Sequence, residues 1–443
     1  MLKLLRSLIE QKHVLVLGFG REGKSTLRRL LEAGGAASIT VADQNEVHPD
    51  GVSVPVICGP GYLDSMDRFD LVFKSPGIVL PREPETYSCR ITSQTEVFFQ
   101  AYRDRIVGIT GTKGKSTTTT LLYHILKASG RDAVLAGNIG IPAFDILEEI
   151  GPDTTIVCEL SCHQLEYIHV SPHLAVLLNI HEEHLDHYGT MEKYVHSKQQ
   201  IYLHQHPEDI LLCGLEVIPE KGSCASRVYT VSDTSESAHV RLAGSRILFE
   251  GHHYQIPVEE IHLLGHHNQI DIAFVYALCR MLGVSEEAFT AGLKSYEPLP
   301  HRLHFAGVRD GVRYYDDSIS TICETTIQAL KSVPAPGSVL IGGMDRGIDY
   351  TELIQYLSED PVPHIILMEA TGKRILEEIR RHYPDFRHPE RLHSVQNLKE
   401  AVACAREVTP AGTACILSPA AASYGIFKNF EERGDTFIRY VFS

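Results

Sequence analysis

Gly108-Ile-Thr-Gly-Thr-Lys-Gly-Lys-Ser-Thr-Thr118 decides the fold of this chain. Ile106 to Ile109 reads as a buried strand, three glycines (Gly108, Gly111 and Gly114) punctuate its end and the residues after it, and Leu121, Leu122, Ile125 and Leu126 then fall on one face of a helix. Strand, phosphate loop and helix follow in that order. The glycines free backbone N–H groups to face an anion at the helix N-terminus. Lys115 adds a point charge and Ser116 a hydroxyl for Mg²⁺. The expected ligand is a nucleoside triphosphate held by Gly111, Thr112, Lys113, Gly114, Lys115, Ser116 and Thr117. The spacing departs from the simple G-x-x-x-x-G-K-S form, because Ile109 stands where the first glycine belongs and Gly108 lies one residue earlier.

Outward from this loop, 443 residues exceed what one hydrophobic core usually organises, so two or three domains are expected. A hydrophobic content of 43% is globular, and a formal charge of −15 argues against nucleic acid or an anionic membrane as the main partner. Ten cysteines without C-x-x-C pairs, and an N-terminus without the apolar run of a signal peptide, read as reduced thiols in a cytoplasm. No stretch approaches the ~20 apolar residues of a membrane span.

Upstream, Leu2 to Glu10 has the pattern of a short amphipathic helix, and the apolar strand His13 to Leu17 ends in Gly18-Phe-Gly-Arg-Glu-Gly23. The next strand, Ser38 to Val41, delivers Asp43 about twenty residues after the glycines, where nucleotide folds place an acid near a ribose. This motif alone leaves a dinucleotide, a nucleotide-sugar and a ligand-free turn open. Strands at Val54 to Cys58 and Leu71 to Phe73, the latter leading into Ser75-Pro-Gly-Ile78, complete a small domain closing near Arg103.

Downstream, Thr155 to Leu160 and Ala175 to Ile180 read as buried parallel strands carrying polar residues at their C-terminal ends, Glu159-Leu-Ser-Cys-His-Gln164 and Asn179-Ile-His-Glu-Glu-His184-Leu-Asp186. Arg227 to Val231, Val240 to Leu242 and a hairpin Arg246 to Ile256 turning at Glu250-Gly251 suggest an antiparallel patch. A third unit starts near Leu299-Pro-His-Arg302, with strands at Val312 to Tyr315, Ser338 to Ile341, His364 to Met368 and Ala414 to Leu417 alternating with helices. The expected architecture is α/β in three domains, each with a largely parallel sheet: a Rossmann-like domain over 1–103, a central P-loop ATPase domain over 104–298 and a Rossmann-like domain over 299–443.

Gly108 to Thr118, Glu159-Leu-Ser161, Asn179 through His184 to Asp186, Leu264-Gly-His-His-Asn268, Pro300-His-Arg302, Asp316-Asp317-Ser318 and Leu417-Ser-Pro-Ala-Ala-Ala-Ser-Tyr-Gly-Ile-Phe427-Lys-Asn-Phe430-Glu-Glu-Arg-Gly434 resemble, in order and spacing, the Mur ligases. The resemblance covers essentially the whole chain and is strongest to the glutamate-adding members. It implies an ATP-dependent amide ligase joining glutamate to UDP-N-acetylmuramoyl-L-alanine through an acyl phosphate, in peptidoglycan precursor synthesis, by a monomer in the cytoplasm. The third domain would close over the second and exclude water.

Phosphoryl transfer is positioning and charge neutralisation. Lys115 would neutralise the β- and γ-phosphates, Ser116 would hold one Mg²⁺, and Glu159 supplies the hard oxygen that Mg²⁺ prefers. The resemblance implies a second Mg²⁺ near His184 and a carbamylated lysine at Lys198. A carbamate turns a repelling ammonium into an anionic ligand, whereas Lys198 on its own reads as a solvated helix lysine. The resemblance further places Gly18, Phe19, Gly20, Asp43, Ser75 and Asn138 around the UDP-sugar, and Asn268, Arg302 and Asp317 at the adenosine. Asp271 stands where the family commonly has Asn.

For glutamate, the family's Asp-Ser-Lys-Ala-Thr-Asn is here Asp317-Ser-Ile-Ser-Thr-Ile322, so Ile319 removes a cation. Arg346 occupies the second lysine position and can grip a carboxylate bidentately, while Thr321, Ser423 and Phe430 match other contacts. D-glutamate is the family's usual substrate; the handedness stays open to the L isomer.

Other readings compete. His181, His184 and His187 with Asp186 suggest zinc, but His-Glu-Glu-His is one residue short of H-E-x-x-H. Cys162, beside the active strand, is the one cysteine singled out. An NAD-dependent dehydrogenase explains Gly18 to Gly23 but not the phosphate loop; a non-catalytic nucleotide-sugar binding protein leaves Lys115, Glu159 and His184 without a task. Folylpolyglutamate synthases lack a first domain like residues 1–103.

Overall fold

His13–Leu17 (β1) is apolar from Val14 onward because both faces of the strand are covered, which removes the usual alternation. In the structure, a computed structural model that describes residues 1–383, 386 and 388–443, β1 is the middle strand of a parallel sheet. Ser38–Asp43 (β2), Val56–Cys58 (β3), Leu71–Lys74 (β4) and Arg90–Thr92 (β5) complete it in the order β3-β2-β1-β4-β5. Chain order reverses between β1 and β4, so the loops after these two strands, Gly18–Gly23 and Ser75–Ile78, border the crevice where such sheets bind ligands.

The second sheet starts with Ile106–Thr110 (β6), Ala133–Gly137 (β7), Thr155–Glu159 (β8) and Leu174–Leu177 (β9). It continues through Ile210–Gly214 (β10), Arg227–Ser232 (β11), Val240–Ala243 (β12), Arg246–Phe249 (β13) and His252–Gln255 (β14), in the order β14-β13-β12-β11-β10-β9-β6-β8-β7. β6 lies between β8 and β9, with Ile109 opposite Glu159 and Thr110 opposite Leu177. The phosphate loop is therefore flanked by the ends of the two strands that carry Glu159 and Asn179. The antiparallel patch is smaller than the sequence suggests: β11 pairs parallel with both β10 and β12, and only β12 to β14 run antiparallel. The hairpin turn at Glu250-Gly251 has φ of 50° and 78°, the primed geometry that matches strand twist.

The third sheet comprises His304–Arg309 (β15), Val312–Asp316 (β16), Pro336–Gly342 (β17), His364–Met368 (β18), Leu392–Val395 (β19) and Ala414–Leu417 (β20). Its order is β15-β16-β20-β17-β18-β19, with only β15 antiparallel. Successive side chains alternate between two cores, as a period of two requires: Tyr315, Val339, Ile341, Ile365 and Leu367 on one face, Tyr314, Leu340, Ile366 and Met368 on the other.

By compactness the chain forms two units, Met1–Ile256 with Ile270–Leu293, and Pro257–Gln269 with Lys294–Ser443. The first holds two of the sheets, over a shared core that includes Val14, Phe98, Ile106, Ala136 and Leu177. The second holds the remaining sheet. Among the described residues no helix is long and apolar enough to cross a membrane.

Candidate active site

In the first unit the phosphate loop is fixed from outside. Asn179 Oδ1 accepts from the backbone N–H of Thr112 at 3.1 Å and of Lys113 at 2.9 Å, the Thr112 hydroxyl lies 2.9 Å from the Tyr194 hydroxyl, and His181 N–H donates to Thr112 Oγ1 at 2.9 Å. Gly114 has φ +82°, and a Cβ there would lie 2.5 Å from Asp271 Oδ1. Both the left-handed backbone and the contact require glycine. The loop opens directly into the helix Lys115–Ala128, which starts with Lys115, Ser116 and Thr117 and buries Leu121, Leu122, Ile125 and Leu126. Lys113 Nζ stands 3.5 Å from Glu183.

A half-buried and a buried lysine meet under this loop. Lys115 Nζ donates to the carbonyls of Gly111 and Thr112 at 2.9 and 2.8 Å, and Lys198 Nζ donates to the same Gly111 carbonyl at 2.8 Å. Lys198 is therefore not the solvated helix lysine that its sequence context suggests: it is 2% exposed, with its ammonium over the Tyr194 ring. Burial, reinforced by the charge of Lys115, pushes its pKa down to about 8. Burial also lowers Lys115, against the pull of Glu159 and Glu183.

Glu159 is 1% exposed at the end of β8. Its Oε1 accepts from Asn138 Nδ2 at 2.7 Å, while its buried Oε2 has no hydrogen-bond partner among the described residues. A buried carboxylate oxygen left without a donor suits a cation, and Mg²⁺ prefers such an oxygen. Lys115, Asn138, His184 and Lys198 line one cavity of about 330 Å³ with Cys162, His163, Glu183 and the Pro76-Gly77 loop of the first sheet. His184 adopts φ +57° and is half exposed, and burial lowers its pKa. Cys162 is buried, its sulfur 3.7 Å from His163 Nδ1. His163 lies edge-on to both His184 and His187.

The glycine loop after β1 is tied to its neighbours. Phe19 N–H donates to Asp43 Oδ2 at 2.7 Å and the Ser75 hydroxyl donates to the Gly18 carbonyl at 2.9 Å. Gly18 has φ +86°, and Gly20 precedes the helix Arg21–Ala33. Beyond Asp43, Gln44, Glu46, His48 and Cys58 border a second cavity of about 440 Å³. Gly18, Phe19, Gly20, Asp43 and Ser75 are thus neighbours, whereas Asn138 stands at Glu159.

In the second unit, Asn268 Nδ2 donates to the Leu264 carbonyl at 2.6 Å, and the buried Arg302 Nε has no hydrogen-bond partner among the described residues. Asp317 accepts from Leu303 N–H at 3.0 Å and from the Ser418 hydroxyl at 2.8 Å; burial raises its pKa to about 7. Arg346 Nη2 donates to the Thr321 carbonyl at 3.0 Å. Ser423 is buried, Phe430 and Ile319 are half-buried, and Arg346 is exposed.

A buried polar group next to the first site escapes the sequence reading. Lys74, 5% exposed, lies 3.6 Å from Glu166 and over the Tyr167 ring; Glu166 also faces His187 at 3.4 Å. Gln164 Nε2 donates to Glu22 at 2.6 Å, and Gln164 Oε1 accepts from Ser161. A lysine inside the apolar run of β4 is the available signal.

A phosphate loop at the ends of parallel strands, flanked by the buried carboxylate of Glu159, the half-buried Lys115 and the buried Lys198, defines a nucleoside-triphosphate site of the P-loop class. The Mur ligase middle domain family matches residues 109–279. A UDP-N-acetylmuramoylalanine–D-glutamate ligase of Symbiobacterium thermophilum is 33% identical over 96% of this chain and 97% of its own. One from Geobacillus kaustophilus is 33% identical over 98% of each. Among solved structures, the MurF ligase of Thermotoga maritima in complex with ADP shares the fold, with a TM-score of 0.60 at 16% identity over 100% of this chain and 99% of that one. This chain belongs to the Mur ligase family.

Proposed function

We propose that this protein is an ATP-dependent ligase that adds D-glutamate to UDP-N-acetylmuramoyl-L-alanine, forming ADP and phosphate in peptidoglycan precursor synthesis. The observation that carries the reading is the meeting of Lys115 and Lys198 on the Gly111 carbonyl of the phosphate loop, with Glu159 in register with Ile109 of the strand leading into that loop and one of its oxygens unpartnered among the described residues. The alanyl carboxylate takes the γ-phosphoryl group of ATP and ADP leaves; the glutamate amine then attacks the acyl carbon, loses a proton, and phosphate departs.

Lys115 and the loop N–H groups neutralise and align the phosphates. The donor set fits Mg²⁺: Ser116 and Glu159 would hold one ion, His184 and a carbamylated Lys198 a second, and the metal would supply charge neutralisation at the transferring phosphoryl group. The lowered pKa of Lys198 supports carbamylation, since CO₂ reacts with the neutral amine. Gly18, Phe19, Gly20, Asp43, Ser75 and Asn138 are assigned to the sugar nucleotide, Asn268, Arg302 and Asp317 to adenosine, and Thr321, Arg346, Ser423 and Phe430 to glutamate. We assign residues 1–103, 104–298 and 299–443 as domains of a cytoplasmic monomer, in keeping with ten free cysteines.

The test is phosphate release by purified protein with ATP, Mg²⁺ and UDP-N-acetylmuramoyl-L-alanine, given D- or L-glutamate separately. Release with the D isomer alone is expected. Release with L alone would reverse the substrate assignment, and silence with both would overturn the ligase reading.

A further inference from the structure

Arg433 is the largest fully buried side chain of the second unit, at 0% exposure, in the first turn of the helix Phe430–Phe442. A guanidinium is costly to bury, and Ser318 receives most of it here. Nε donates to the Ser318 hydroxyl at 3.0 Å and Nη2 to the Ser318 carbonyl at 2.8 Å, while Ser318 Oγ in turn donates to the Phe430 carbonyl at 2.7 Å. Nη1 has no hydrogen-bond partner among the described residues and lies beside Gly343, where a Cβ would be 3.0 Å from it. The same Cβ would meet the Ala422 carbonyl at 2.4 Å, and Met344 N–H donates to that carbonyl at 2.9 Å. Glu369 and Asp316 supply the offsetting negative charge. Glu369 is itself buried at φ +59°, a conformation unfavourable for its type.

These contacts have a common geometry. Three loops leave the C-terminal edge of the third sheet: 317–322 after β16, 343–346 after β17 and 418–429 after β20. Thr321 lies on the first, Arg346 on the second, Ser423 on the third, and Phe430 begins the helix that follows. Arg433 clasps the first loop to that helix and packs against the junction of the other two, and Arg346 closes the ring on Thr321. We propose that Arg433 is the positioning residue of the amino-acid subsite, holding the three loops and the helix N-terminus in the arrangement that receives a dicarboxylate amino acid, at a site where Ile319 provides no cation of its own.

This rests on the glutamate-ligase reading, so glutamate-dependent phosphate release by the wild-type enzyme is measured first; its absence would sink that reading and not this one. In an active enzyme, Arg433→Lys and Arg433→Met should raise the KM for glutamate at least about tenfold, the scale of one charge-assisted hydrogen bond, with the KM for ATP and for the UDP-sugar within about twofold. Arg433→Lys keeps the charge without the fork, so its effect should be smaller than that of Arg433→Met. Ser318→Ala removes the link to Phe430 while leaving the carbonyl contact, and should raise the glutamate KM about threefold in a folded protein even where Arg433→Met fails to fold. An equal rise in all three KM values, or a fall in kcat with the glutamate KM unchanged, would overturn the proposal.

Discussion

Lys115 and Lys198 donate to one oxygen, the carbonyl of Gly111, at 2.9 and 2.8 Å. Two ammonium groups meeting on one oxygen repel each other, and burial lowers the pKa of both. Burial lowers Lys115 against the opposing pull of Glu159 and Glu183, whereas Lys198 is lowered first by burial and then by Lys115 itself. The pair therefore differs in ease of deprotonation: Lys198 stays mostly charged at the pH of a cell but releases its proton far more readily than an exposed lysine. Converting Lys198 to a carbamate would replace this repulsion with attraction to Lys115.

The depressed pKa of Lys198 gives a pH signature. Below about pH 8 the lysine is charged in both folded and unfolded chains, and the folded state bears the full cost of burying it. Between about 8 and 10.5 the unfolded chain keeps a proton that the folded one has released, so stability rises with pH by up to roughly 3 kcal/mol from this group. In CO₂-free buffer the unfolding midpoint of the wild type should climb toward that of Lys198→Met across this window, and bicarbonate at pH 7.5 should raise the wild-type midpoint alone. A midpoint difference that stays flat with pH would show that Lys198 is not a buried charge.

Glu159 offers a separation of activity from stability. Its Oε2 is buried with no hydrogen-bond partner among the described residues, so the carboxylate is expensive to the fold when no cation is present. Glu159→Gln keeps the shape and removes the charge. Phosphate release should fall about 10²–10³-fold and lose its dependence on Mg²⁺ in the low-millimolar range, while the unfolding midpoint of the metal-free protein stays level or rises. A lower midpoint together with residual Mg²⁺-dependent activity would contradict the ligand assignment.

The sheets are legible in the sequence where strands are apolar on both faces. β1, β6, β8, β18 and β20 are each bracketed within a residue or so, because a run such as His13–Leu17 or Ala414–Leu417 has few alternatives between its flanking turns. β15 and β19 leave no such trace: both are edge strands, half exposed, whose mixed residues carry no apolar run. β11 runs parallel to β10 and β12 where the sequence suggests an antiparallel patch, because strand direction depends on tertiary pairing and not on composition. At the site, the phosphate loop follows from Gly114-Lys-Ser116 set between an apolar strand and a helix, while the burial of Lys198 is not readable from Val195-His-Ser-Lys198, a helical turn that looks polar until Tyr194 and the loop cover it. Lys74, Glu166 and Arg433 are hidden for the same reason: a buried charge looks like a solvated one until its partners are placed.

Gly114 is constrained twice, by φ +82° and by the 2.5 Å approach that a Cβ would make to Asp271. Gly114→Ala should raise the KM for ATP by at least about tenfold, since the loop can relieve the strain only by turning its N–H groups away from phosphate. Adding Asp271→Ala removes the contact but not the backbone strain. The double variant should recover part of the loss, and a Gly114→Ala enzyme with unchanged ATP affinity would show that the loop does not bind phosphate in this conformation.

Lys74, itself buried, lies 3.6 Å from the half-buried Glu166 and also interacts with the half-buried Glu22, whose pKa burial raises. Removing the cation leaves both acids without it. Lys74→Met should therefore destabilise the first unit by roughly 3–5 kcal/mol, as for a buried pair that loses one member. Lys74→Met with Glu166→Gln removes one charge of each sign and keeps an amide near His187, so most of that loss should return, leaving a deficit within about 1.5 kcal/mol. Differential hydrogen exchange over β4 and the 161–187 segment reads the effect locally, without requiring the whole chain to unfold in one step. If the single substitution costs less than about 1 kcal/mol, or the second fails to offset it, Lys74 is solvated in solution and the charge pair does not brace the histidine side of the cavity.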